Sequence, residues 1–491
     1  MKQRDSSYFD IERIVFSRQY RSLQDKTQLF YPSQKRRVRT RLTHTQEVKT
    51  IAHKIGVLMN REIGAHNQDL DNDATKKYIQ PVDLELVDAI AYAHDIGHTP
   101  FGHVGERTID AVVSGKDDLG GMIHYGGEPR MRFKHNSNAM RILVDMEISD
   151  WRVIEGALCH TGICYDGDKT EYQGNPFNPF AQSEYKKMAA FIFGENQMDF
   201  TIADKKDPVS MTLEGQIVAA ADEIAQRAAD IADADIQNRY MENIEALFAQ
   251  FFPTPQRPGA ADDDRCFRLE WMIYTAMIND VVDHTMDNLR AATPKEAKFG
   301  DIEHVAYADK IVAFTPDETD KNDPEKVIKQ NMAGVNKELE NFVTAYSARS
   351  EEVRESDSRA KYIIRQLYKA YLNDVSLLPD AVIETHLNRM QNNAHFLGAV
   401  KNHEAVENVL KKRYAASKII PEKGKKLLAI KNVTKYVSLL KENNGKAKSG
   451  SADADLTALS DAFILDIGFY IASLTNTEAF DAYNKIYGHT L

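Results

Sequence analysis

Cysteine is scarce in this chain. Cys159, Cys164 and Cys266 are the only three in 491 residues. An odd, widely spaced set of this kind excludes a disulfide-dense secreted scaffold and a zinc ribbon, and it suits a reducing compartment. Fifteen prolines and 25 glycines are few for an all-β chain with many turns. No apolar run reads as long as the roughly 20 residues a membrane helix needs, and the opening MKQRDSSYFDIERIV lacks the apolar stretch of a signal peptide. A cytoplasmic protein without a membrane segment is therefore expected. A net charge of −11 argues against a general nucleic-acid coat.

What is present is helical periodicity. Leu84, Val87, Ile90 and Ala91 recur at three-and-four spacing behind Asp83, a candidate cap. From Thr212 to Ile231 an alanine- and isoleucine-rich stretch is crossed by a polar stripe of Asp222, Gln226, Asp230 and Asp233. Further amphipathic segments fall near 265–291, 325–346, 350–372, 380–412 and 456–485, and strand-like alternation is scarce. The expectation is an all-α protein. The Pro- and Gly-rich break at PTPQRPGAADDD suggests a boundary between residues 1–250, which hold every chemical motif, and a C-terminal helical region over 265–491 that packs on them.

The chemistry concentrates in AHDIGHTPFGHVGE, residues 93–106, with three histidines, an aspartate and a glutamate. Gly97 and Pro100 let the chain bend after His94 and Asp95, so both side chains can turn toward one divalent cation. Upstream, His44 precedes an apolar-periodic helix, and Asp222 is a carboxylate on a largely apolar one. A His, His, Asp, Asp set leaves coordination positions open for water and substrate. Taken alone, Asp222 reads equally well as part of a solvent-facing stripe. Glu106 lies three residues after His103 and is expected to orient that imidazole for general acid or base work; the plain alternative is a salt link. His135, Asn136 and His160 read individually as structural.

The order His44, His94–Asp95, Asp222 resembles the HD-domain phosphohydrolases, named for that doublet. The strings YRSLQDKTQLF, RTRLTHTQEV, AHDIGHTPFGHVGE, FKHNSNAMR and ADEIAQRAAD narrow the resemblance to the deoxyguanosine triphosphate triphosphohydrolase family over most of residues 17–235. FYIASLTNTEAFDAYNKIYG is similar to that family's closing helix.

The resemblance implies an HD-domain helical fold with a C-terminal helical extension and hydrolysis of a deoxynucleoside triphosphate, dGTP first, to deoxynucleoside and tripolyphosphate. It also implies a divalent metal, manganese, magnesium or iron, held by His44, His94, Asp95 and Asp222. His103 and Glu106 would be the catalytic pair, with His98 and His135 near the α-phosphate and Arg41 on the phosphates. Gln28 and Leu29 would border sugar and base, and Asp230 would accept the sugar 3′-hydroxyl. Gln226 would take the sugar-facing place, where relatives often carry an aromatic residue packed against the sugar, and SLTN stands where they tend toward a Gly-Met-Thr-Asp pattern, so ribose rejection and base choice do not follow. The family implies a homo-oligomer, tetramer or hexamer. The basic run KRRVRTR, residues 35–41, is read chiefly as facing the triphosphate, with single-stranded DNA or a nucleotide as a possible effector and no membrane partner. A regulator that binds nucleotide without turnover, and an HD enzyme releasing orthophosphate, are the competing readings.

Overall fold

A computed structural model describes residues 6–28, 39–70, 77–123, 133–161, 209–233, 236–248, 262–299, 302–307, 310–320, 323–390, 399, 401–406, 433–443 and 454–488. The protein is all-α, with two small two-stranded sheets among the described residues. Its described residues fall into two compact units that interleave along the chain. Unit 1 lies within Met1–Gly97, Ala139–Tyr165 and Ala189–Ser356, and unit 2 within His98–Asn138, Asp166–Met188 and Asp357–Leu491. The break at 252–264 falls inside unit 1.

Unit 1 is built on α3 (Arg41–Gln68), following α1 (Ser6–Val15) and α2 (Arg18–Ser22). Thr40 caps α3 in a reciprocal box with Thr43. Next comes α4 (Leu84–Ala93), capped as expected by Asp83, whose carboxylate accepts from the Glu85 and Leu86 amides. Val87, Ile90 and Ala91 are buried on its inner face. The helix α7 (Trp151–Cys159) packs against α4 so closely that a Cβ on Gly156 would lie 2.7 Å from Ile90. The long helix α8 (Leu213–Asp233) packs on α3, α4 and α7. The helices α9 (Ile236–Phe248), α10 (Asp262–Ala291) and α11 (Met332–Arg349) complete unit 1.

A buried polar network fixes these helices against one another. Glu214, at the start of α8, accepts from the Asp83 amide at 2.9 Å and pairs with His304 at 3.0 Å. The other ring nitrogen of His304 meets Arg152, which in turn pairs with Asp150 at 2.6 Å. Burial alone would raise the Glu214 carboxyl, but His304 more than offsets it and holds the group ionised below its ordinary range.

Strands were not expected, yet β1 (Lys295–Phe299) pairs antiparallel with β2 (Ile302–Ala306), and β3 (Glu318–Asp320) with β4 (Asp323–Lys329). The helix foreseen from residue 325 therefore begins only at Met332. These are short hairpins, and β2 is anchored by His304 and by the Tyr307 amide on the Met211 carbonyl.

Unit 2 contains α5 (Gly102–Val113), the start of α6 (His135–Asp145), most of α12 (Glu351–Asn373), and α13 (Asp380–Met390), α14 (Ala454–Ser473) and α15 (Asn476–Tyr487). The single amphipathic segment foreseen at 456–485 is broken at Thr475, which caps α15 in a reciprocal box with Glu478. By length and composition alone α14 could cross a membrane. Of its apolar window 89% is buried inside the protein, and Asp461 and Asp466 are buried along it, so it serves as a core helix. Asp466 there pairs with His386 of α13 at 2.7 Å.

Candidate active site

In unit 1, three helices deliver the expected ligand types to one point. His44 sits in the first turn of α3, His94 directly follows α4, and Asp222 lies in the middle of α8; all three are buried, and their ligand atoms lie within 4.8 Å of one another. His94 Nδ1 donates to the Ala91 carbonyl at 2.7 Å, which leaves Nε2 buried without a hydrogen-bond partner among the described residues. A buried orphan nitrogen of this kind costs stability unless something binds it. Asp95 Oδ1 stands 3.6 Å from that nitrogen, and Asp222 Oδ1 stands 3.9 Å from it. His44 Nε2 meets Asp222 Oδ1 at 2.9 Å. Two imidazoles and two carboxylates, fixed by separate helices, suit a divalent transition metal and leave room for further ligands.

The electrostatics point the same way. Burial would raise the Asp222 carboxyl, but the hydrogen bond and charge of His44, with His94 and His160, hold it far below the usual carboxylate range. His160 is a contributor that sequence reading left as structural. It ends α7 as His94 ends α4, with Nδ1 on the Ala157 carbonyl at 2.7 Å, and its ring packs edge-on to His94 at 5.1 Å. Its helix-end position resembled that of His94, but no spacing in the sequence tied it to the cluster. His160 also borders a pocket lined by Ser210, Glu223 and Lys310.

Arg41 is buried and donates to Asp95 Oδ2 at 2.9 Å and to the Thr27 carbonyl at 3.2 Å. The guanidinium foreseen as a phosphate contact thus also braces a candidate ligand. Arg39, the neighbouring described basic residue, pairs with Glu47 and Glu270 at 2.7 and 3.2 Å, so much of the described charge in this run meets the protein's own carboxylates. Lys35, Arg36, Arg37 and Leu29 lie outside the described residues. Gln28 is buried, and its Oε1 has no partner. Gln226 directs its amide onto Asp222, and Asp230, two turns beyond Asp222, is half-buried on α8.

Unit 2 holds a second cluster, which begins at His98, three residues further along the chain from Asp95. Here the structure differs from the expected pairing. Glu106 does not grip His103; its carboxylate accepts from the backbone amide of His135 at 3.0 Å and from the His135 ring. Glu106 faces inward from α5 and is buried, whereas His103, in the first turn of α5, is exposed. The His98 ring stacks on His135 at 3.8 Å, and His103 lies edge-on to both, at 5.6 and 6.2 Å. Burial would raise Glu106, but His135, with smaller help from His98 and His103, drives it far below the ordinary range. It is an ionised anchor for an imidazole group.

A tight bend presents these rings. Phe101 adopts a left-handed backbone, φ 63°, directly before α5, and a Cβ on Gly105 would meet the Pro100 carbonyl at 2.0 Å, so only glycine fits there. The Phe101 amide is held at 2.7 Å by Asn476 Oδ1 of α15, and the Phe101 ring packs on Phe480 at 5.2 Å. Asn476 was legible only as a departure in a closing motif, not as the residue that fastens this bend.

The helical fold and this His/Asp centre fall where the chain matches known families: residues 41–227 match the HD domain, and residues 327–395 match the phosphohydrolase-associated domain. More particularly, it is similar to deoxyguanosinetriphosphate triphosphohydrolase-like proteins. It is 27% identical over 388 residues to that of Bartonella quintana, covering 76% of this chain and 79% of the relative. The Bartonella tribocorum protein is 27% identical over 417 residues, covering 81% and 86%. That of Mesorhizobium japonicum is 28% identical over 385 residues, covering 76% and 78%.

Proposed function

We propose that the chain hydrolyses deoxynucleoside triphosphates, dGTP first, to the deoxynucleoside and tripolyphosphate. The observation that carries this reading is the convergence of His44, His94, Asp95 and Asp222 around the orphaned His94 Nε2, in a chain similar to deoxyguanosinetriphosphate triphosphohydrolase-like proteins. These four residues would hold the divalent metal, with manganese, magnesium and iron as the expected ions. Once bound, such an ion polarises a phosphoryl oxygen and lowers the pKa of bound water toward about 7 in favourable sites.

The remaining work falls to side chains. A triphosphate carries about four negative charges, so its hydrolysis depends on positioning and charge stabilisation. Arg41, fixed by Thr27 and Asp95, supplies a constant positive charge for the phosphates. Ionised Glu106 holds the His135 ring, and His135 stacks on His98; this pair is assigned to the α-phosphate. His103, exposed beside them, is assigned as the acid that protonates the departing 5′ oxygen. Gln28 offers its unpartnered Oε1 as an acceptor for sugar or base, and Asp230 is assigned to the 3′-hydroxyl. The working protein is expected to be a cytoplasmic homo-oligomer.

The reading is tested by incubating the full chain with dGTP and Mn²⁺ and following products by phosphorus NMR. Tripolyphosphate without orthophosphate or pyrophosphate is the expected result. Orthophosphate as the only phosphorus product would replace the proposal with a phosphomonoesterase-type HD enzyme. Tight nucleotide binding with equal, negligible turnover in wild type and His103→Ala would replace it with a regulator.

A further inference from the structure

The two carboxylates of the unit 1 centre are braced in different ways. The outer oxygen of Asp95 is held by a guanidinium, with Arg41 at 2.9 Å. Asp222 receives a neutral donor instead: Gln226 Nε2 lies 3.1 Å from Oδ1 and 3.0 Å from Oδ2. The two residues are one helical turn apart on α8, the spacing at which side chains meet. Around them the helix is apolar, with Ala221, Ile224 and Ala225 fully buried, and the Asp222 carboxylate is held by His44 on Oδ1 at 2.9 Å and by Gln226 on both oxygens.

Charge explains why an amide suits this position. Arg41 already pairs with Asp95 at 2.9 Å. Asp222 is therefore the one ligand whose negative charge is left for a cation by its non-histidine brace. A lysine or arginine at position 226 would cancel that charge. An apolar residue would remove the donor on Oδ2 and leave His44 on Oδ1 as the one contact orienting the group. A carboxamide orients the group without neutralising it, the task that outer-shell partners of ligating carboxylates perform at metal centres.

We propose that Gln226 is a positioning residue of the metal centre, its amide locking Asp222 in the orientation that accepts the cation. This assigns to Gln226 a role toward the ligand, distinct from the sugar contact its place in the motif suggested. The inference rests on the reading of Asp222 as a metal ligand.

The test is Mn²⁺ binding to the full, EDTA-stripped chain by isothermal titration, with the melting temperature in EDTA as a check on folding. Four proteins are compared: wild type, Asp222→Asn, Gln226→Met, which keeps length and loses the donor, and Gln226→Ala, which loses both. Asp222→Asn is expected to abolish measurable binding. Both Gln226 variants are expected to weaken Mn²⁺ affinity 10- to 100-fold, with melting in EDTA unchanged. If Asp222→Asn loses Mn²⁺ while Gln226→Met binds within threefold of wild type, the inference fails and the ligand reading stands. Weakening in Gln226→Ala alone would show a packing role and also overturn it. Wild-type Mn²⁺ binding by Asp222→Asn would overturn the ligand reading and the inference with it.

Discussion

The two clusters of ionisable side chains are built on opposite plans. In unit 1, His44, His94 and Asp222 come from helices far apart in sequence, all are buried, and the carboxylates are braced by Arg41 and Gln226. In unit 2, His98, His103, Glu106 and His135 come from one bend and the start of one further helix, and one member, His103, is exposed. The first arrangement suits a fixed cation. Its charges are too costly to bury without partners, and each helix needs its own lock. The second suits proton transfer, with a buried anion fixing a ring group that keeps one edge open to solvent.

Removing a ligand from the first cluster should have the largest effect. Asp95→Ala deletes a donor and leaves the Arg41 guanidinium buried without its carboxylate. Loss of bound metal by elemental analysis and destabilisation of about 3–5 kcal/mol in urea are expected; retention of full metal would erase the distinction between the clusters. In the second cluster, His103→Ala should lower kcat by about 10²–10⁴ with metal content unchanged. A loss of metal in that variant would mean that His103 serves the cation.

A smaller effect should separate the helices that carry the ligands from the ligands themselves. Glu155 of α7 is buried and accepts from Ser210 at 2.6 Å and from the Met211 amide at 2.9 Å. Burial pushes its carboxyl up to about 7 from an ordinary 4.5, the hydrogen bonds only partly offsetting this. A folded pKa raised in this way gives stability that is complete below about 4.5 and is lost as pH rises through about 7. Glu155→Gln should therefore match the wild type near pH 4.5 and exceed it by up to ~3 kcal/mol at pH 8. Denaturant melts at both pH values read the difference, and parallel curves would show that Glu155 does not titrate in this range. The smallest effect is expected for Asn476→Ala, which leaves the Phe101 amide unsatisfied at a cost of about 1–3 kcal/mol. It should lower kcat and spare Mn²⁺ affinity, because the bend it fastens belongs to the second cluster alone.

Much of the architecture was legible because it is local. The cap at Asp83, the buried face of α4 and the polar stripe of α8 follow from spacing along a single helix. The two hairpins between 295 and 329 were missed because their strands are short and carry no alternating apolar face. The break in the last helical stretch was missed because the Thr475 cap stands within an otherwise continuous periodic segment. At the site, residue types and order marked His44, His94, Asp95 and Asp222, but not which side chain each would meet.

The amino-acid order alone therefore determined the helical class and the location of the histidine- and aspartate-rich bend, while Asp222 joined the set suited to a cation only through the family resemblance. Only the tertiary structure decided that Glu106 anchors His135 in place of His103, that Arg41 braces Asp95, that Gln226 turns to Asp222, and that the two compact units interleave along the chain. The reason is physical. Helical periodicity fixes which residues share a face, while the partner across that face is set by packing between segments that are distant in sequence.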